Sequence, residues 1–293
     1  MRVAVVDVGS NSLRLLVAEH GPEGLETVDR ARAYLGLGAE VERSGRLTEE
    51  RIAAAAVCVR AYAARARELR ADDLVVLVTA PGRQSANADR LVAELAAAAG
   101  APVSVLTAAE EAALAFNGAV AGLEDEPAGI AVCDVGGGST EIAAGTVRAG
   151  VAWSCSLDLG ALRLAARRID RDPPGKKAVA AARAEAAALL AGVDPPPVAL
   201  AFATGGTARA LGRVVGAPLG PDELAAALRK LARRSSGELV RRHGVSRERA
   251  RTLAAGAAIL AAVQERVGVP LEIARGGLRE GAVLELAGRA RAA

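Results

Sequence analysis

Aromatic residues are almost missing from this chain of 293 residues, which has one Trp, two Tyr and two Phe, or 2% of the sequence. Base stacking has almost no platform here, so sequence-tolerant binding of single-stranded nucleic acid is not expected. Histidine is nearly as scarce. With two His in all and no paired acid near either, a histidine-based triad or zinc site is improbable. The three cysteines, Cys58, Cys133 and Cys155, are odd in number and never in C-x-x-C spacing; they read as small buried apolar groups, not a disulfide framework. The longest apolar run, Leu253–Val263, is too short to span a bilayer and contains Gly256. Met1-Arg2 leads straight into a strand-like run and leaves no room for a signal peptide. The expectation is a cytoplasmic protein that engages neither nucleic acid nor membrane.

Other things are plentiful. Hydrophobic residues make up 52%, much of it Ala, and the length exceeds one ordinary core, so two domains are expected. The formal charge of +3 is mild and suits an anionic ligand without requiring one. One pattern is written twice. Val3–Ala18 reads VAVVDVGSNSLRLLVA, and Ile130–Thr146 reads IAVCDVGGGSTEIAAGT. Each copy is an apolar β-rich run, Asp-Val-Gly, a small polar turn with Ser, and a second apolar run, the signature of a hairpin. Asp7 matches Asp134, Gly9 matches Gly136, and Ser12 or its neighbour Ser10 matches Ser139. Turns of this composition leave backbone N–H groups free to converge on an anion, and the Asp before each can hold Mg²⁺ directly or through water.

In chain order, strands are predicted at Val3–Asp7, Leu13–Val17 and Leu25–Ala33, followed by a glycine-broken loop over Ala33–Leu47. A helix from Thr48 to Leu69 has Thr48 as its cap; Leu74–Val78 is a buried strand; Thr79–Asn87 opens a helix ending at Gly100; Val103–Leu106 is a short strand. Thr107 caps the next helix with Glu110 at the capping-box position, which leaves Glu111 as the free carboxylate, because helix neighbours point about 100° apart. The acidic linker Gly122–Ala128 divides the chain into domains at 1–124 and 125–293. The second half repeats the scheme: hairpin Ile130–Val147, strand Val151–Leu157, helices from Gly160 and over Lys176–Ala191, strand Ala199–Ala203, long helices over Pro221–Val240 and Arg247–Val267, strand Leu271–Ala274 and a last helix. This alternation argues an α/β fold.

Further candidates are weaker one by one. Thr204-Gly205-Gly206-Thr207, between a strand and a helix, lets a phosphate approach the helix N-terminus, although a tight turn explains it equally well. It is neither a Walker A loop nor G-x-G-x-x-G. Glu141 stands on the outgoing strand of the second hairpin. Arg83 and Asn87, four apart, are expected on one helix face, with Arg83 able to neutralise a phosphate oxygen. The basic run Arg229–Arg251 reads as the wet side of amphipathic helices.

The ordered set DVGSNS, T-x-x-x-R-x-x-x-N (Thr79–Asn87), EEA (Glu110–Ala112), DVGGGSTE, SLDLGALRL (Ser156–Leu164), TGGT and GLREG (Gly277–Gly281) resembles the exopolyphosphatase/guanosine pentaphosphate phosphohydrolase family, within the actin/hexokinase/heat-shock ATPase superfamily. The resemblance spans essentially the whole chain. It implies two ribonuclease-H-like domains, each a mixed sheet flanked by helices, with a cleft between them in which terminal phosphate is hydrolysed. It implies Glu111 as general base and Arg83 as a phosphate contact. Asp7, Asp134 and Glu141 would lie on the side of Mg²⁺ or another divalent cation. Gly9, Ser10, Asn11, Ser12, Gly136, Gly137, Gly138, Ser139, Gly205, Gly206 and Thr207 would hold phosphate. The implied substrate is inorganic polyphosphate, with short chains favoured because the chain resembles the two-domain members. Guanosine pentaphosphate (pppGpp) is the close alternative; a kinase of the superfamily and a non-catalytic polyphosphate or nucleotide sensor are others. A homodimer is implied by the family alone. The chain departs from the family where Thr107-Ala108-Ala109 replace the usual Ser-Gly before the Glu pair, and where Thr79-Ala80-Pro81-Gly82 replaces Thr-Ser-Ala.

Overall fold

A computed structural model of the chain describes residues 1–21, 24–124 and 127–292. The first half runs β1 (Arg2–Val8), β2 (Ser12–Gly21), β3 (Gly24–Tyr34), α1 (Leu37–Ser44), α2 (Glu49–Glu68), β4 (Asp73–Val78), α3 (Ala80–Gln84), α4 (Ala88–Ala99), β5 (Val103–Val105) and α5 (Ala108–Val120). The second runs β6 (Ile130–Val135), β7 (Thr140–Thr146), β8 (Gly150–Leu157), α6 (Ala161–Arg168), α7 (Gly175–Leu189), β9 (Leu200–Thr204), α8 (Gly205–Val215), α9 (Pro221–Leu231), α10 (Ser236–His243), α11 (Arg247–Val267), β10 (Leu271–Ile273) and α12 (Leu278–Ala292). Two five-stranded mixed sheets result, ordered β3-β2-β1-β4-β5 and β8-β7-β6-β9-β10. The duplication seen in the hairpins therefore extends to the whole sheet: β6 is to the second what β1 is to the first.

Each central strand is buried on both faces, which is why its sequence is an apolar run and not an alternation. In β1, Ala4, Val6 and Val8 pack with Ile52, Val59, Leu91 and Leu95 of α2 and α4, whereas Val3 and Val5 turn to Leu114, Leu278 and Val283. In β6, Ala131, Cys133 and Val135 join the large core built by α6–α9 and α11, whereas Ile130 and Val132 meet Phe116 and Val120 of α5. The two connecting helices are thus exchanged. Helix α5 follows the first sheet but covers the second, and α12, at the end of the chain, returns to cover the first.

These helices cross with backbone against backbone. A methyl group at Gly118 would overlap the Gly277 carbonyl, and one at Gly281 would overlap the Leu114 carbonyl. Gly281 of the GLREG motif and Gly276 just before it are glycine for this approach, since a carbon at Gly276 would overlap the Gly118 carbonyl.

The structure corrects three sequence expectations. The supposed loop 33–47 contains α1, bounded by left-handed Gly36 (φ 62°) and Gly45 (φ 71°), with Leu37 and Val41 buried one turn apart. The glycines that suggested a loop are the ends of a short helix. The helix expected over 221–240 is two, because Ser235 accepts from the Glu238 N–H at 3.3 Å in a capping box that starts α10 afresh. The segment opening at Thr79 is also interrupted between Gln84 and Ala88, so Arg83 and Asn87 do not share a helix; Asn87 instead bonds both the N–H and the C=O of Leu47 at 2.9 Å. The expected domain junction includes residues 125 and 126, which lie outside the described residues.

The glycine crossing is testable. Gly281→Ala should lower the unfolding free energy by about 1–3 kcal/mol in chemical denaturation, the usual cost of overpacking. Gly288→Ala, where nothing lies within 4 Å of the added carbon, should be neutral or slightly stabilising.

Candidate active site

The two hairpin turns are the same object. Gly9 N–H donates to Ser12 O at 3.3 Å, and Gly136 N–H donates to Ser139 O at 3.0 Å, which makes Ser12, not Ser10, the counterpart of Ser139. The turns face one another. A carbon added at Gly138 would lie 2.5 Å from Ser10 Oγ, and one at Gly137 would lie 3.2 Å from Ser10 Cβ and 3.3 Å from Asn11 N. Only glycine permits that approach.

Register then sets a difference between the copies. Asp7 pairs with Arg14 across β1 and β2, whereas Asp134 pairs with Glu141 across β6 and β7. One hairpin presents an acid and a guanidinium, the other two acids. Burial raises the Asp7 carboxyl above its ordinary range, opposed by Arg14 and Arg279.

Helix α5 supplies the third component. Thr107 and Glu110 close the capping box: Thr107 N–H donates to Glu110 at 2.7 Å, and Glu110 N–H donates to Thr107 Oγ1 at 3.2 Å. Glu110 is thereby spent on the helix end, and Glu111, 7% exposed, lines the cleft. Its carboxylate accepts from Arg83 at 2.7 Å; Arg83 also donates to Leu106 O at 2.9 Å and lies 3.5 Å from Glu141. Burial, then the neighbouring Glu141, push the Glu111 carboxyl well above its usual range, with Arg83 opposing. Glu141 is raised to about 7 by burial and then by Asp134. It accepts from Ser156 Oγ at 2.8 Å on one oxygen; its other oxygen is buried without a hydrogen-bond partner.

The remaining wall comes from the start of α8 and from Gly277–Glu280. Gly205 has φ 82°, and a carbon there would sit 2.7 Å from Asp134 Oδ1, so glycine is required on both counts. Asp7, Gly9–Ser12, Glu111, Asp134, Gly136–Ser139, Gly205 and Gly206 line one cleft; Arg83 and Glu141 stand behind Glu111. Thr207, expected at the phosphate, is fully buried: its hydroxyl donates to Val135 O at 3.3 Å and accepts from Arg249 at 3.1 Å. It orients an arginine and does not line the cleft.

Sequence reasoning missed the arginines. Arg14, Arg209, Arg249 and Arg279 all line the cleft, and among the described residues none has a carboxylate within 4 Å in an ion pair. Burial, and then Arg14, lower the Arg249 guanidinium to about 10. Arg14 was readable in principle: counting seven residues from each repeated Asp reaches Arg14 in one copy and Glu141 in the other. Arg279 stands inside the GLREG motif, which marks it; nothing local marks Arg209 or Arg249.

Among the described residues, no three Asp, Glu, His or Cys side chains converge as a ready-made metal cage. Of the expected trio, Asp134 and Glu141 are strand neighbours, and Asp7 lines the same cleft from the opposite turn. Two adjacent carboxylates, one with an orphaned buried oxygen, fit the way Mg²⁺ is held, with water and substrate supplying the other oxygens.

Two like sheets enclose a cleft of turn amides, carboxylates and arginines, which defines a two-lobed α/β protein with its candidate site between the lobes. The Ppx/GppA phosphatase family model matches residues 16–290, and the chain belongs to that family. Exopolyphosphatase 2 of Mycobacterium tuberculosis is 37% identical over 191 residues, covering 62% of this chain and 59% of that protein, so the match spans about six-tenths of the relative's length. The Aquifex aeolicus PPX-GPPA enzyme superposes with a TM-score of 0.80 at 27% identity, covering 97% of this chain and 99% of its own. An exopolyphosphatase from Cytophaga hutchinsonii shares the fold, with a TM-score of 0.85 at 21% identity over 98% of this chain and 97% of its own.

The raised Glu141 carboxyl has a consequence for stability. Its folded value of about 7 lies above the ordinary 4.5, so folding favours the protonated acid. Without divalent cations, stability should be greatest below pH 4.5 as far as this group is concerned, and should fall as pH rises through 7. Mg²⁺ should raise the melting temperature more at pH 8 than at pH 5, and Glu141→Gln should abolish most of that increment. A Mg²⁺ effect that ignores both pH and this substitution would remove Glu141 from the cation site.

Proposed function

We propose that the protein is a hydrolase that releases terminal orthophosphate from inorganic polyphosphate, with a divalent cation, Mg²⁺ by preference, held beside Asp134 and Glu141. One observation carries this reading: a buried carboxylate, Glu111, shares a cleft with two converging amide turns and four arginines, none of them held in an ion pair among the described residues. Turn amides and guanidiniums together suit a polyanion, and Glu111, the α5 acid that faces the cleft, is placed to act on water at its end.

The amides of Ser10–Ser12 and Gly136–Ser139 hold the terminal phosphoryl group, the turns converging as an anion nest. Glu111 takes the proton from a water molecule whose oxygen bonds to the terminal phosphorus. The opposite P–O anhydride bond breaks, and the shortened chain leaves as an oxyanion between the arginines. Burial, which raises the Glu111 carboxyl above its ordinary range, makes its carboxylate the stronger base. Arg83 holds Glu111 in place from behind. When bound, the cation offsets negative charge on the substrate oxygens.

Short chains are the substrates this reading favours, on the family resemblance alone. Guanosine pentaphosphate is the second candidate; against it, the cleft lining contains no aromatic side chain on which a base could stack. The cytoplasmic location and homodimer rest on the family resemblance.

Glu111→Gln should fold as wild type and bind polyphosphate, yet lose on the order of a hundredfold or more in kcat. The check is phosphate release from polyphosphates of different length, pppGpp and ATP, with and without Mg²⁺. Unchanged release by the variant removes Glu111 from the role. Tight binding by the wild type with no Mg²⁺-dependent release makes the protein a sensor instead.

A further inference from the structure

A second cavity opens beside the cleft. It lies between the end of β3 and the junction of α10 with α11, and is lined by Arg32, Tyr34, Arg209, Arg213, Ser246 and Arg249 among others. It shares Gly206, Arg209 and Arg249 with the cleft, so the two spaces are walled by common residues. We propose that this cavity is an outer subsite for the trailing phosphates of a polyphosphate chain, read by Arg32 and Arg213. The proposal rests on the hydrolase reading above and extends it from the bond that breaks to the length of chain that is held.

The charge is the first argument. Four guanidiniums surround this small space, and among the described residues none lies within 4 Å of a carboxylate. Elsewhere near the cleft the rule is the reverse: Arg30 meets Glu280 at 3.2 Å and Arg163 meets Glu42 at 2.9 Å. The arginines of the outer cavity are oriented by neutral partners. Arg32 donates to the Tyr34 hydroxyl at 3.1 Å, Arg213 to Gly244 O at 3.0 Å, and Arg249 to Thr207 at 3.1 Å. They are positioned while their charge stays uncompensated, as recognition of phosphate oxygens requires.

The second argument is what the cavity refuses. Its lining has no carboxylate, so it offers nothing to a cation or to the donor edge of guanine. Its one aromatic ring, Tyr34, has the Arg32 guanidinium 5.8 Å from its centroid, and its hydroxyl is 2.8 Å from Ser246 Oγ. That ring is engaged at its face and at its tip, which disfavours it as a base platform. A linear phosphoanhydride, with charge on every unit, matches a row of guanidiniums that begins at Arg14 and Arg279 in the cleft and continues through Arg209 and Arg249 to Arg32 and Arg213.

The test is the full-length double variant Arg32→Gln/Arg213→Gln, assayed on tripolyphosphate, on long-chain polyphosphate and on pppGpp. KM for the long chain should rise on the order of tenfold with kcat held, because each lost phosphate contact weakens binding electrostatically. KM for tripolyphosphate should move less than twofold. The Lys double variant should recover part of the long-chain affinity. An equal change on both lengths, or none on either, overturns the subsite; a loss confined to pppGpp overturns its assignment to polyphosphate. Should the wild type release no phosphate from any substrate, the hydrolase reading falls. Direct binding of long-chain polyphosphate, weaker and less salt-sensitive in the variant, would then still support the subsite, and identical binding would overturn it.

Discussion

The two hairpin turns meet because one of them is glycine. Gly137 and Gly138 press against Ser10 and Asn11 with no room for a side-chain carbon between them. Much of the site depends on that contact. It brings two sets of turn amides to one point, with Asp7 and Asp134 at the ends of two central strands beside them. Glycines repeat the device where α5 crosses the start of α12: Gly118, Gly276 and Gly281 remove the side chains that would hold these segments apart. The lobes are thus joined by close contacts of main chain, whose geometry a bulky residue could not relax around.

Duplication provides two equal hairpins, and a single register position makes them unequal. Arg14 and Glu141 occupy the same place opposite their respective aspartates. One turn therefore carries compensating charges and the other carries two acids, whose repulsion helps raise Glu141 to about 7. The cationic side suits the phosphate oxygens; the acidic side suits a cation and a proton acceptor. A symmetric pair of turns could grip a phosphate but would not tell one face of it from the other.

Those parts of the site fixed by local backbone chemistry were legible in the sequence. A strand, Asp-Val-Gly and a small polar turn can be recognised in a dozen residues, and the capping box at Thr107 and Glu110 singles out Glu111 because only one of two adjacent acids can cap. The parts fixed by long-range packing were not. Arg249 becomes a cleft residue through Thr207, forty-two positions away, and Arg279 through the return of α12 to the first sheet. The GLREG motif marks Arg279 without saying where it goes, and nothing in the neighbourhood of Arg249 sets it apart from the other helical arginines. Helix α1 was hidden for another reason: glycine marks the ends of short helices as readily as the middle of loops.

The same arginines make the arrangement of the lobes sensitive to what lies between them. Arg14 and Arg32 come from the first sheet, Arg209, Arg213 and Arg249 from the second lobe, and Arg279 from the helix that joins them. Bringing them together costs desolvation first and then mutual repulsion, which is why Arg14, Arg209 and Arg249 are all lowered from the ordinary guanidinium value. Contacts across the gap offset part of that cost: Glu42 with Arg163 and Arg167, Arg30 with Glu280, and Tyr34 with Ser246. A polyanion between the lobes removes the repulsion while leaving those contacts intact.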